Sequence, residues 1–170
     1  MSRRFEAVLS EEIFLDCEAA LNYTFQNREL LRNCLTHASG ANHRLASNER
    51  LEFLGDAIMG AVVCEMLYHK FPEEAEGELT RIKSIVVSRQ TCATISESLA
   101  LDELLTLGKG MTSNPVIPRS LLADVFESLV AAVHLDGGAE ASRALIERFM
   151  KPQIKAAGAG HHGGNFKSLL

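Results

Sequence analysis

The sequence predicts an all-α domain. Three observations carry that expectation. Apolar residues recur at helical spacing in segment after segment, no stretch alternates with the period of two that a half-buried strand needs, and no internal repeat stands out.

The first helix lies in SEEIFLDCEAALNYTF, with apolar residues at helical spacing from Ile13 to Leu21. Asn27 is placed to cap RELLRNCLTHA, where Leu30, Leu31, Cys34 and Leu35 form a stripe; a side-chain oxygen there satisfies an N–H that the helix start leaves unpaired. SGANHRLA reads as a loop, and Ser47 or Asn48 caps a long helix running to about His69. FPEEAEG ends it, with Pro72 and Gly77 as the breakers. ELTRIKSIVVS, RQTCATISESLA and the short DELLTLG follow, and GKGMTSNPVIP is a loop by composition. A second strongly apolar helix covers RSLLADVFESLVAAVHL and closes at Gly137 and Gly138; AEASRALIERFMKPQI is the last full helix. The domain is therefore assigned to residues 1–155. From Ala156 the run AAGAGHHGG has the composition of a flexible linker, so 156–170 is expected to be a linker leading, through NFKSLL, into the cut-off start of another domain.

A chain of 170 residues with 46% hydrophobic residues can bury a real core. No apolar run approaches the ~20 residues of a membrane span, and MSRRFEAVLSEE lacks the apolar region of a signal peptide, so the expectation is a cytoplasmic protein with no membrane partner. Cys17, Cys34, Cys64 and Cys92 are widely spaced, which argues against a disulfide framework or thiolate metal site. The net charge of −5 argues against generic polyanion binding, because phosphate contacts are normally made by excess Lys and Arg. A nucleic-acid partner would have to be held locally, through metal ions, or by another domain.

The stretch SNERLEFLGDAIMGAVV, from Ser47 to Val63, carries the chemistry. At ~100° per residue, Glu49, Glu52 and Asp56 fall within a sector of ~60°, while Leu51, Leu54, Ile58 and Val62 lie opposite and Gly55 and Ala57 keep the flanks small. A solvated acidic face is the plain alternative, but this helix reads as apolar almost all round and is expected to be buried. The second apolar helix repeats the device: Asp124 and Glu127 share a face, and Leu122, Val125, Phe126, Leu129 and Val133 lie on the other. If the two pairs meet, Glu52, Asp56, Asp124 and Glu127 form a nest of oxygen donors suited to Mg²⁺ or Mn²⁺ rather than Zn²⁺. An ion there could assist hydrolysis of a phosphodiester. A di-iron carboxylate bundle would need Glu-x-x-His pairs, and none of the six histidines follows a Glu at that spacing.

NERLEFLGDAIM closely resembles the signature of the ribonuclease III family of double-stranded-RNA endonucleases, and LLADVFESLVAAVHLDGG resembles its second acidic segment. LTHAS, YHKFPEEAEGELTRIKSIVVSR and LGKG are similar to its other landmarks, in order, so that the resemblance covers roughly residues 10 to 152. It implies an all-helical endonuclease domain that forms a homodimer with two cutting sites in one cleft, acting on double-stranded RNA in ribosomal and messenger RNA processing. The products would be short 3′ overhangs with 5′-phosphate and 3′-hydroxyl ends. Glu52, Asp56, Asp124 and Glu127 would be the metal-binding and catalytic set, with Glu49 and Glu76 a supporting acidic pair. For Glu76 the plain reading is a first-turn carboxylate stabilised by the helix dipole. Phe53, on composition a core residue, would instead insert into a socket on a second subunit. NFKSLL looks like the entry to the family's RNA-binding domain. The candidate RNA-facing cations are Arg81, Lys83, Arg89 and Lys109. The alternative is a catalytically inactive relative that only binds RNA or a ribonucleoprotein; it should have lost one or more of the four carboxylates, and all four are present.

Overall fold

The two most apolar segments of the sequence become the two long helices on which the rest is built. In the computed structural model, which describes residues 11–113 and 116–162, the order is α1 (Glu11–Leu21), α2 (Arg28–Cys34), α3 (Glu49–Lys70), α4 (Glu76–Val86), α5 (Arg89–Ser98), α6 (Lys109–Thr112) and α7 (Arg119–His162). Among the described residues the extended pairing is limited to a one-residue parallel bridge between Thr36 and Thr106, so the all-α expectation holds. That bridge joins two separate loops: Thr106 N donates to Leu35 O at 2.7 Å and His37 N donates to Thr106 O at 3.1 Å. No helix of the described residues is long and apolar enough to cross a membrane.

The first arm of α7 is the centre of the core. Leu129, Val130, Ala131, Ala132 and Val133 are wholly buried, where α7 packs mainly against α3 and α5. Each Val or Leu sequestered in this way contributes roughly 1.5–3 kcal/mol. The helix breaks at Gly138, whose φ of 86° lies in the region that favours glycine, close to the predicted closure at Gly137 and Gly138. Asp136 fixes that corner. It accepts from Tyr23 Oη at 2.7 Å and from the backbone N–H groups of Gln26 and Asn27 at 2.9 and 2.8 Å, tying the α1–α2 connection to α7.

One contact sets the distance between α3 and α7. A Cβ placed on Gly55 would lie 1.8 Å from the carbonyl oxygen of Glu127, so here the two backbones touch with no side chain between them. Ser128 secures the same crossing: its hydroxyl lies between the carbonyls of Asp124, at 2.7 Å, and Asn48, at 3.1 Å. Asn48 N in turn donates to Thr36 O at 2.9 Å, and Cys34 Sγ to Ser128 O at 3.1 Å. The start of α3 is thereby pinned to α7 through backbone groups.

Four expectations need correction. α3 is not buried all round: Phe53, Ala57, Ala61, Cys64 and Tyr68 form an exposed stripe beside its acidic one. Asn48 holds the N-cap position of α3 without a side-chain capping bond, whereas Asn27 caps α2 as expected, accepting from Glu29 N at 3.0 Å. Lys109–Thr112, read as loop, forms a short helix. The assigned linker is helical as far as His162. Ala156, Ala157 and Ala159 are good helix formers, and Gly158 packs so closely on Phe71 that a Cβ would come within 2.8 Å of its ring. NFKSLL lies outside the described residues.

Gly55→Ala is expected to force α3 and α7 apart, because backbone, not a flexible side chain, fills the space. Overpacking of this kind costs about 1–3 kcal/mol, and the rigid obstacle places Gly55 at the upper end. Chemical denaturation measures it; an unchanged midpoint would mean that the crossing yields freely.

Candidate metal and catalytic site

The α3–α7 crossing delivers the carboxylates to one place. Gly55 is the point of contact, so Glu52, one turn earlier on α3, faces Asp124 and Glu127 on α7. One carboxylate oxygen from each of Glu52, Asp124 and Glu127 lies within 4.8 Å of the other two. Asp56 is exposed at the edge of this trio, close enough for its charge to act on Glu127. Of the four carboxylates expected to meet, the structure brings Glu52, Asp124 and Glu127 together and places Asp56 beside them.

The trio is electrostatically uncomfortable. Glu127 is only 5% exposed, and burial, followed by the charges of Asp56 and Glu52, pushes its carboxyl up to about 7. Burial, and then Asp124, raises Glu52 as well. Asp124 is raised by burial, against the opposing pull of Arg89, then of a hydrogen bond with Glu52, and last of His37. Close packing of like charges keeps protons on groups that would shed them in water.

Arg89, at the first position of α5, reaches into the trio. Its Nη2 lies 3.3 Å from Glu52 Oε1 and its Nη1 2.9 Å from Asp124 Oδ1. The second approach is close enough to hold the Asp124 carboxyl down against burial, but it leaves the buried Oδ1 without a well-aligned donor. Such an oxygen retains a free lone pair and can accept a cation. Oxygen donors on three converging carboxylates fit a hard divalent ion.

The other candidates are not members of the trio. Glu49 lies one turn before Glu52 and is paired with Arg44 at 3.3 Å. Glu76 opens α4, where it accepts from Thr80 Oγ1 at 2.7 Å, a bond within its own helix and not one to the trio. Of the four candidate RNA-facing cations, Arg81 is held by Glu78 through two bonds of 2.6 and 2.9 Å, and Arg89 belongs to the acidic cluster. Lys83 lies over α3 at Gly60, and Lys109 is exposed at the start of α6. Sequence reasoning missed Ser128, which secures the two acidic helices, named Asn48 only as a cap, and listed Arg89 as an RNA-facing cation without its ion pairs to Glu52 and Asp124.

Phe53 is 82% exposed on the next face of α3. Beside it is a hollow of about 700 Å³ lined by Leu30, Leu45, Leu51, Leu54 and Leu135, among others, with Phe53 itself on the rim.

Comparison with known proteins accounts for these features together. The sequence model of the family described as Ribonuclease-III-like matches residues 27–154. Ribonuclease 3 of Rhodopirellula baltica is 49% identical over 154 residues, covering 91% of this chain and 58% of that protein. Ribonuclease 3 of Halalkalibacterium halodurans is 42% identical, with coverage of 94% and 62%. The chain thus spans about three fifths of the length of these relatives. Among solved structures, the nuclease domain of ribonuclease III from Campylobacter jejuni aligns with a TM-score of 0.76 at 34% identity, covering 81% of this chain and 96% of that one. A trio of carboxylates on two crossing helices, in a fold and a sequence shared with these proteins, leaves one conclusion: the chain belongs to the ribonuclease-III-like family.

Proposed function

We propose that this chain is the nuclease part of a metal-dependent endoribonuclease. It cleaves double-stranded RNA in ribosomal and messenger RNA processing, in the cytoplasm, to 5′-phosphate and 3′-hydroxyl ends with short 3′ overhangs. The observation that carries the reading is the Glu52–Asp124–Glu127 trio, with oxygens of all three within 4.8 Å at a backbone crossing that leaves them little freedom to separate. All four predicted carboxylates are present, which favours an active enzyme over an inactive binding module.

Mg²⁺, with Mn²⁺ as a substitute, is the ion that fits hard oxygen donors and a buried lone pair on Asp124. When bound it supplies Lewis acidity at the phosphodiester. Glu52 and Asp124 offer their oxygens from opposite helices, and Glu127 closes the set from below, where water is excluded. Asp56, exposed at the rim, faces the side from which RNA would arrive. Glu49 and Glu76 form the outer acidic pair, and Lys83 and Lys109 are the cations best placed to meet a phosphate without first giving up a carboxylate partner.

A homodimer follows from α3. Phe53 and the adjoining hollow occupy one surface, and a two-fold axis would seat each ring in its partner's hollow, since a C₂ interface uses the same patch twice. The relative from Campylobacter jejuni has a region involved in dimer formation. Phe53→Ala is expected to cost on the order of 2–4 kcal/mol of association, seen in sedimentation as dissociation at concentrations where the parent chain is dimeric. A parent chain that sediments as a stable monomer at micromolar concentration would remove the dimer from this reading.

The direct test is a labelled RNA duplex incubated with and without Mg²⁺. Glu127→Gln deletes a donor charge and is expected to cut several orders of magnitude more slowly while folding, dimerising and binding duplex at least as well with Ca²⁺ in place of Mg²⁺. Parental rates in this variant would remove Glu127 from the site.

The same substitution has an opposite effect on stability. Burial and like charge hold the Glu127 carboxyl at about 7 in the folded chain, above the 4.5 of a solvated glutamate. Its ionisation therefore penalises the fold: the penalty is absent below about 4.5, grows as pH rises, and is complete above about 7. Without metal, Glu127→Gln should stabilise the chain at pH 8 by up to about 3 kcal/mol, with the gain fading towards pH 4.5. Equal melting of the two chains at pH 8 would refute the burial argument.

A further inference from the structure

The cation in the acidic cluster is the least expected feature of the site. Arg89 stands at the first position of α5, where no acidic residue shares the first turn and the helix dipole disfavours a positive charge. Its guanidinium is split between two carboxylates that belong to different helices, 3.3 Å from Glu52 and 2.9 Å from Asp124. Its place in the cluster is explained by the two acids it reaches.

Arg89 is held less firmly than Arg81 and Arg119, the two arginines with multiple short hydrogen bonds. Arg81 grips both oxygens of Glu78, at 2.6 and 2.9 Å. Arg119 is fixed by Glu97 at 2.6 Å, Thr94 Oγ1 at 2.9 Å and the Gln90 carbonyl at 3.3 Å. Arg89 makes no two-pronged contact with a single carboxylate, its approach to Asp124 Oδ1 is out of line for a hydrogen bond, and its side chain remains 59% exposed. An open route to water, with weak directional bonding, makes it replaceable.

We infer that Arg89 is an internal counter-ion which competes with the divalent cation for Glu52 and Asp124, and that metal loading displaces its guanidinium from the carboxylates. This inference rests on the metal-site reading above. The physical reason is crowding of charge. Glu52 and Asp124 can surround one cation closely, and a divalent ion and a guanidinium at the same oxygens would repel each other at distances of a few ångströms. With no metal loaded, Arg89 relieves repulsion among the carboxylates and keeps the cleft assembled. Once metal is loaded, the +2 charge does this better and Arg89 is released to the cleft surface. Arg89 is a positioning residue that sets how much metal the site demands, and mutation of it should change metal affinity in the direction opposite to loss of a ligand.

Metal binding can be measured directly, by titrating Mn²⁺ at pH 8 and low salt and following the resonance of the free ion. Arg89→Ala is expected to bind Mn²⁺ about tenfold more tightly, the low end of what a neighbouring charge does, because the guanidinium is half in water. The metal-free variant should melt at a lower temperature and gain more on adding Mn²⁺ than the parent does. Arg89→Lys, which keeps the charge but cannot span two carboxylates, should fall between the two and serves if the alanine variant does not fold. Asp124→Asn should lose the ion. If Asp124→Asn loses the ion but both Arg89 variants bind as the parent does, or more weakly, the competition is overturned while the metal site stands. Binding that is absent from the parent, or that Asp124→Asn leaves intact, overturns the site and the inference together.

Discussion

The site depends on a backbone contact that no side chain mediates. Gly55 allows α3 to rest on the carbonyl of Glu127, and a Cβ there would fall 1.8 Å from that oxygen. Two helices brought this close have little freedom to slide or rotate, and Ser128, with its hydroxyl between carbonyls of both helices, removes part of what remains. Glu52, one turn before the contact, must then face Asp124 and Glu127, which sit one turn before it and at it. The convergence of carboxylates is a consequence of how closely the two backbones approach.

Such convergence works against the fold. Burial and like charge raise Glu52 and Glu127, and only a rigid surround keeps the three acids from separating into solvent. The surround is the central core: Val125, Phe126, Leu129 and Val130 flank or follow the acidic positions of α7 and are all buried. Wholly buried apolar packing and unfavourable electrostatics thus occupy the same helical turns. Perturbed carboxylates held by a dense core are what a cation site requires.

Much of this was legible in the sequence, and the failures have identifiable causes. Helical periodicity located the long helices and put Glu52 on one shared face and Asp124 and Glu127 on another, because a face is a local property of spacing. It could not separate Asp56 from the trio, since Asp56 shares the acidic sector of α3 and only the crossing angle decides which members of that sector look inward. The ion pairs of Arg89 could not be read from spacing, because its partners lie 37 and 35 residues away along the chain. Composition misread residues 156–162 as a linker for a similar reason: glycine among alanines signals flexibility, yet Gly158 is used for close contact with Phe71. The wholly buried reading of α3 failed on a different point, because apolar residues all round a helix do not say which of them are covered within a single chain.

That last failure explains why α3 carries so little polar sequence. Around its circumference, Leu51, Gly55, Met59, Val62, Val63 and Leu67 enter the core, Glu49, Glu52 and Asp56 border the cleft, and Phe53, Ala57, Ala61, Cys64 and Tyr68 remain at the surface. A helix of a monomeric domain would normally give that third face to charged residues. Here it is apolar and lies next to the acidic stripe, so an interface formed on it would press on the same helix that positions the carboxylates. The covering of one face and the alignment of the next are then mechanically connected through a single rigid rod, with Phe53 adjacent in sequence to Glu52. Under the proposed dimer, association and site geometry are two consequences of where α3 lies, which is why one helix of 22 residues can serve the core, the cleft and the partner at once.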